Sequence, residues 1–147
     1  TKEVIQSKFS EFDLDKKVWT IPGHKMKAGV EHKIPLSNEA IQIINFMRQK
    51  HNHEYVFHNP ATGKHISNGA MLVFTKKHYT KTKITVHGFR ATFRTWAEET
   101  GKYQHHAIEF CLSHSLPTKV EKAYLRTNLI EMRKKIMKDW EEFVIKK

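Results

Sequence analysis

Carboxylates are missing from the middle of this chain. Between Glu54 and Glu98 there is no aspartate or glutamate, while the same interval carries Lys64, Lys76, Lys77, Lys81, Lys83, Arg90 and Arg94. The only aspartates are Asp13, Asp15 and Asp139, and the glutamates are scattered, which leaves little from which to build a two-metal site of gathered carboxylates. Cys111 is the single cysteine, so an internal disulfide and a Cys-rich zinc site are both excluded, and a reducing cytosol is the expected setting. Eleven histidines are present, yet none stands in an H-E-x-x-H arrangement. No glycine-rich phosphate loop occurs, so ATP is not implied. No apolar run approaches the ~18 residues of a membrane span. Thr1 to Leu14 is charged and has no apolar segment of the kind a signal peptide needs.

What is present is positive charge. Lys and Arg number 26 against 15 Asp and Glu, a formal net charge of +11 with a pI near 9.8. Such an excess suits a polyanionic partner, although solubility alone also explains a basic surface. The 147 residues suit one domain with one core.

The element pattern is mixed. TKEVIQSKFSEF reads as the end of a helix. Val18–Ile21 and the run 33–36 read as a β-hairpin whose tip, HKMKAGVEH, turns at Gly29. Ser37 or Asn38 caps a helix over 39–50. Tyr55 to Phe57 is a short apolar run, followed by a loop, HNPATGKHIS, punctuated by Pro60 and Gly63. Ser67 or Asn68 opens a helix to about Tyr79. FRATFRTWAEE and HHAIEFCLS are the next two helical runs. Thr118 and Glu121 suggest a capping box before a short helix bearing Tyr124. The tail, NLIEMRKKIMKDWEEFVIKK, repeats Leu129, Met132, Ile136, Trp140 and Phe143 at helical spacing. That stripe must be buried, either on its own domain or on a neighbouring copy. The expected class is α+β, mainly α-helical with a small antiparallel sheet.

Four side chains from adjacent short helices stand out because they can converge on one phosphate. His87 and Arg90 lie three apart in HGFR at a helix start, so they share a face, and free N–H groups at a helix start favour an anion. His114 follows the next helical run, and Tyr124 lies ten residues beyond it. Arg90 can fork onto two phosphate oxygens while remaining charged. The histidines can donate hydrogen bonds or move protons. Tyr124 can act as nucleophile once its phenol, with an ordinary pKa near ~10, loses its proton. Any one tyrosine is more often packed against a helix, as expected here for Tyr55, Tyr79 and Tyr103. Arg94 can equally be a non-specific surface contact.

In their order and spacing HGFRATFRTWAEE, LSH and VEKAYLRT resemble the catalytic domain of the tyrosine recombinases, in the form found in prophage integrases. The likeness extends upstream through EFDLDKKVWTIP and MKAGVEHKIPLS, and so over nearly the whole chain. It implies a tyrosine recombinase-like fold over residues 1–147, without the arm- and core-binding domains. It implies site-specific DNA strand cleavage and rejoining through a 3′-phosphotyrosyl link, with no metal or nucleotide cofactor. The implied catalytic set is Tyr124, Arg90, His87, His114 and a hairpin lysine, Lys27, as general acid, with Lys25 as a rival. Lys25, Lys76, Lys77, Lys81, Lys83 and Arg94 are the expected DNA contacts. The family's first arginine stands in R-x-x-E. Glu3 takes the glutamate position, which puts that arginine immediately before Thr1 and implies that these residues alone are inactive. The implied partners are double-stranded attachment sites and further copies in a tetrameric DNA synapse, at a bacterial, cytoplasmic, DNA-associated location and not at a membrane. A type IB topoisomerase-like activity and a non-catalytic DNA-binding module are the alternatives.

Overall fold

Alternation along Val18–Ile21 puts Trp19 and Ile21 on one face, and in the computed structural model both are buried. Residues 1–82, 84–113 and 119–145 are described, with the backbone alone over 119–128. Three antiparallel strands form a sheet in the order β1 (Phe12–Asp13), β2 (Val18–Ile21), β3 (His32–Pro35). Its register pairs Phe12 with Trp19 and Trp19 with Ile34. The Phe12 and Trp19 rings stack at 5.2 Å, a cross-strand pair that fixes this register.

The described residues form six α-helices: α1 (Lys2–Ile5), α2 (Asn38–Lys50), α3 (Ala70–His78), α4 (Val86–Glu99), α5 (His105–Cys111) and α6 (Lys119–Ile145). Ser37 caps α2 by accepting from the Ala40 N–H, as expected for a serine at that position. The helical core brings together Phe93 and Ala97 of α4, Ala107 and Ile108 of α5, and Leu129 and Ile136 of α6. Each pair is three to seven residues apart or adjacent on one helical face, which is how three short stripes make one core. Trp140 closes it, with its ring 5.3 Å from Phe93 and 5.1 Å from Trp96. The tail stripe is therefore packed on its own domain from Leu129 to Trp140, while Phe143 is exposed. None of the described helices is long and apolar enough to cross a membrane.

The mixed α+β class holds, and several local expectations change. The opening helix stops at Ile5 because the chain is drawn into pairing with residues 54–56. The Phe9 N–H donates to Glu54, the Val56 N–H donates to Ser7, and Lys8 bridges Tyr55. The stretch 9–11 is then a 3-10 turn leading into β1. The HNPATGKHIS loop is itself a small hairpin, β4 (His58–Asn59) with β5 (Lys64–His65). Asn59 Oδ1 accepts from the Ala61 N–H, and Gly63 takes φ +64°, so side-chain turn chemistry closes it. Helix α3 begins after Gly69 rather than Ser67 or Asn68. The Tyr124 segment and the tail form one continuous helix, α6, with no break between them. Thr118 lies outside the described residues.

Candidate active site

Helix α4 carries two functional faces. Thr85 caps it, its hydroxyl accepting from the Gly88 N–H at 3.0 Å. A Cβ at residue 88 would stand 3.1 Å from that hydroxyl, so glycine leaves the cap undisturbed. Phe93 and Ala97 point into the core, while His87 is exposed in the first turn. Arg90, one turn on, is partly buried and donates through Nη2 to the Leu112 carbonyl at the end of α5. Arg94 pairs through Nε with Glu109 of α5 at 2.9 Å. Two arginines four apart thus lace α4 to α5 along the flank of the Phe93 and Ala97 contact. Leu112 is two residues before His114 in the chain, so Arg90 holds the backbone that leads to it. His114 itself, and Lys83, lie outside the described residues.

The two hairpin lysines separate. Lys25 turns inward. Its ammonium donates to the Gln6 carbonyl at 2.7 Å and pairs with the Glu11 carboxylate, which also accepts from Trp19 Nε1 at 3.0 Å. The Lys25 and Glu11 side chains are only 14% and 6% exposed, so the DNA contact expected of Lys25 meets a competing internal partner. Sequence reasoning missed Glu11, because nothing local joins residues fourteen apart. Lys27 is exposed on the loop between β2 and β3. That loop is pinched shut where residue 23 passes residue 29: a Cβ on Gly23 would lie 2.5 Å from the Gly29 carbonyl oxygen. No hydrogen bond or ion pair among the described residues joins Lys27 to Arg90.

The tyrosines also divide. Tyr124 lies in the first two turns of α6; its side chain is outside the description. Tyr103 donates to Asp139 at 2.6 Å, and burial, followed by that carboxylate, holds its phenol well above the usual range. Tyr55 packs among histidine rings, and Tyr79 is exposed at the end of α3 rather than half-buried. Lys76, Lys77 and Lys81 are all exposed. An open hollow of about 470 Å³ beside them is lined by Lys76, Tyr79, Lys81 and Thr85, among others. One set of metal-type donors, Glu98, His105 and Glu109, has ligand atoms within 4.8 Å of each other. Glu98 already bonds His105 at 2.6 Å, and Glu109 forms an ion pair with Arg94.

Comparison with known proteins bears on this arrangement. The integrase of Enterobacteria phage P4 is 30% identical over an alignment of 161 positions, covering 98% of this chain and 37% of the relative. The prophage integrases IntZ and IntA of Escherichia coli strain K12 are 28% and 27% identical, covering 98% and 97% of the chain. The chain spans 36% and 35% of those two relatives. No solved structure matches. The sequence profile of the phage integrase family matches residues 1–129, almost the whole domain including α4, α5 and the Tyr124 turns. The chain belongs to the phage integrase family.

Proposed function

We propose that this domain is the catalytic part of a site-specific recombinase that cuts and rejoins DNA through a phosphotyrosine. Tyr124 Oη bonds to the scissile phosphorus as the bond from phosphorus to the 5′ oxygen breaks. The phenolic proton passes to an imidazole, and Lys27 returns a proton to the departing 5′ oxygen. A free 5′-hydroxyl of a partner strand reverses both transfers, so the covalent link conserves the bond energy. Arg90 and the two histidines, His87 and His114, hold the phosphoryl oxygens, and their contribution grows as negative charge builds on those oxygens. Lys76, Lys77, Lys81, Lys83 and Arg94 contact the flanking backbone.

One observation carries the reading. The start of α4 presents His87 and Arg90 one turn apart on one face, and the Arg90 guanidinium is fastened to the carbonyl of Leu112, the residue that caps α5 on the way to His114. Between the two lysines, Lys27 is preferred as the proton donor because Lys25 is committed to Glu11. The names of the relatives, integrases of a phage and of prophages, favour integration or excision over simple relaxation of one duplex.

The test is covalent capture on a nicked suicide substrate by the full-length protein. Tyr124→Phe abolishes the protein–DNA adduct and leaves duplex affinity within about twofold, because the ring stays and only the nucleophilic oxygen goes. An adduct that survives in this variant places the nucleophile on another tyrosine. Strand transfer between two duplexes then separates a recombinase from a relaxing enzyme.

A further inference from the structure

Arg133 plays no part in that reading, yet it is the least exposed charged residue described, at 4%. It lies on α6, nine positions after Tyr124. Its Nη2 donates to the Lys33 carbonyl at 2.7 Å and lies 3.5 Å from His32 Nε2. Its guanidinium carbon is 5.8 Å from the centre of the Phe110 ring. No carboxylate pairs with it among the described residues, and its Nε has no hydrogen-bond partner there.

That environment is a poor one for a cation. A guanidinium stays charged when buried. Here the lost water is replaced by one carbonyl, the Cys111 thiol, a neutral imidazole and an aromatic face. Burying a charge without its counter-ion commonly lowers stability relative to an apolar side chain of similar size. The contacts, however, have a geometric consequence. They join β3, α5 and α6, and among the described residues they are the only side-chain hydrogen bonds between α6 and β3. β3 is the strand that receives the loop bearing Lys27. Helix α5 leads to His114, and α6 bears Tyr124.

We propose that Arg133 is a positioning residue that sets the distance between the Tyr124 helix and the Lys27 loop. The inference rests on the roles of Tyr124 and Lys27 given under Proposed function. In an in-line displacement the nucleophile enters opposite the leaving oxygen. The proton donor must therefore meet that oxygen while the nucleophile is already at the phosphorus. A rigid link between the two elements secures this coincidence, since errors on the order of 1 Å in such placements are costly. The rest of the loop is tied as well, at the close passage of Gly23 by Gly29 and by Lys25 on Glu11. Arg133 is the tie that refers it to α6.

The test compares two suicide substrates in single-turnover cleavage by the full-length protein. One carries the natural 5′ oxygen at the scissile phosphate, the other a bridging 5′ sulfur. A thiolate leaves without a proton, so the sulfur substrate needs no general acid. Lys27→Ala is the reference: it slows the oxygen substrate by about 100-fold or more and cleaves the sulfur substrate at near the unsubstituted rate. If Lys27→Ala shows no such rescue, Lys27 is not the acid, and the reading of the site fails before Arg133 is judged. With that reference in place, Arg133→Met slows the oxygen substrate by about tenfold, in line with an ångström-scale displacement, and recovers on sulfur with duplex affinity unchanged. Arg133→Lys keeps the charge but loses the planar fork, and shows the same bias at reduced size. Equal slowing on both substrates makes Arg133 a support of the fold or of the nucleophile only, and overturns the proposal. Unchanged rates on both also overturn it. If Arg133→Met does not fold, the presence or absence of bias in Arg133→Lys decides.

Discussion

Lys25 and Lys27 stand two positions apart in one basic loop, and their surroundings differ completely. Lys25 is held against a nearly buried carboxylate, whereas Lys27 faces solvent. Removing one partner of a largely buried pair leaves the other charge uncompensated. Lys25→Ala should therefore destabilise the domain by roughly 3 kcal/mol, while Lys27→Ala leaves the melting temperature within a degree or two. Thermal denaturation of both variants checks this, and equal melting temperatures would contradict the inward placement of Lys25. His32 gives a second residue-scale prediction. Burial, and then the Arg133 guanidinium beside it, push its imidazole down to about 4 from an ordinary 6.5. The unfolded chain binds a proton below pH 6.5 that the folded chain refuses until about pH 4. Stability from this group is thus fully present above pH 6.5, falls as pH drops toward 4, and changes no further below that. The loss is at most about 3 kcal/mol, reduced by the partial exposure of the ring. Chemical denaturation across this range, compared with His32→Gln, should show a shallower pH slope in the variant.

Helix α6 is the element on which sequence pattern and structure meet most closely. Its repeat of Leu129, Met132, Ile136, Trp140 and Phe143 was legible as one stripe, and Leu129 and Ile136 are indeed buried. The pattern could not say whose core the stripe enters, because a helical stripe fits an intramolecular groove and a neighbour's groove equally well. The Phe93, Trp96 and Trp140 rings decide it for Trp140. Trp140→Ala should cost about 3–5 kcal/mol and weaken single-site and paired-site DNA binding alike, in so far as it unfolds the domain. Phe143 differs, being 52% exposed at the outer edge of the same cluster with Val144 and Ile145 beside it. For Phe143→Ala the expectation is a change in stability below about 1 kcal/mol and a selective loss of paired-site assembly, if the end of α6 docks on a neighbouring copy in a synapse. Gel-shift titrations with one and with two sites measure both. Equal losses for Phe143→Ala confine the whole helix to its own domain.

At the scale of the molecule, charge is the property with the longest reach. The carboxylate-free interval includes the β4–β5 hairpin, α3 and most of α4, with Lys76, Lys77 and Lys81 exposed along it. Helix α3 buries only Thr75 and leaves Leu72, Val73 and Phe74 exposed beside those lysines. Its contribution is surface rather than core. Binding to duplex DNA should weaken steeply with salt, with a log–log slope of about 0.9 for each phosphate neutralised. Lys76→Ala with Lys77→Ala should lower that slope by about 1 to 2, whatever the DNA sequence. An affinity that does not respond to salt would remove this surface from any DNA interface.

The sequence by itself determined the class, the charge and the order of the site. Capping placed α2 to within a residue, because a helix start depends on hydrogen bonds made a few positions away, while the run read for α4 began three residues late, at Phe89 instead of Val86. Spacing alone brought His87 and Arg90 to one face for the same reason. Only tertiary structure decided the rest. The first helix ends at Ile5 because residues 7–9 pair with 54–56, a choice made across some forty-five positions of chain. Lys25 is withdrawn by Glu11, and Arg133 by Lys33 a hundred residues away. A cation in a sequence carries no sign of whether it meets water, DNA or a buried carbonyl. That depends on which distant backbone folds against it, and here it separates Lys27 from Lys25 and gives Arg133 its place.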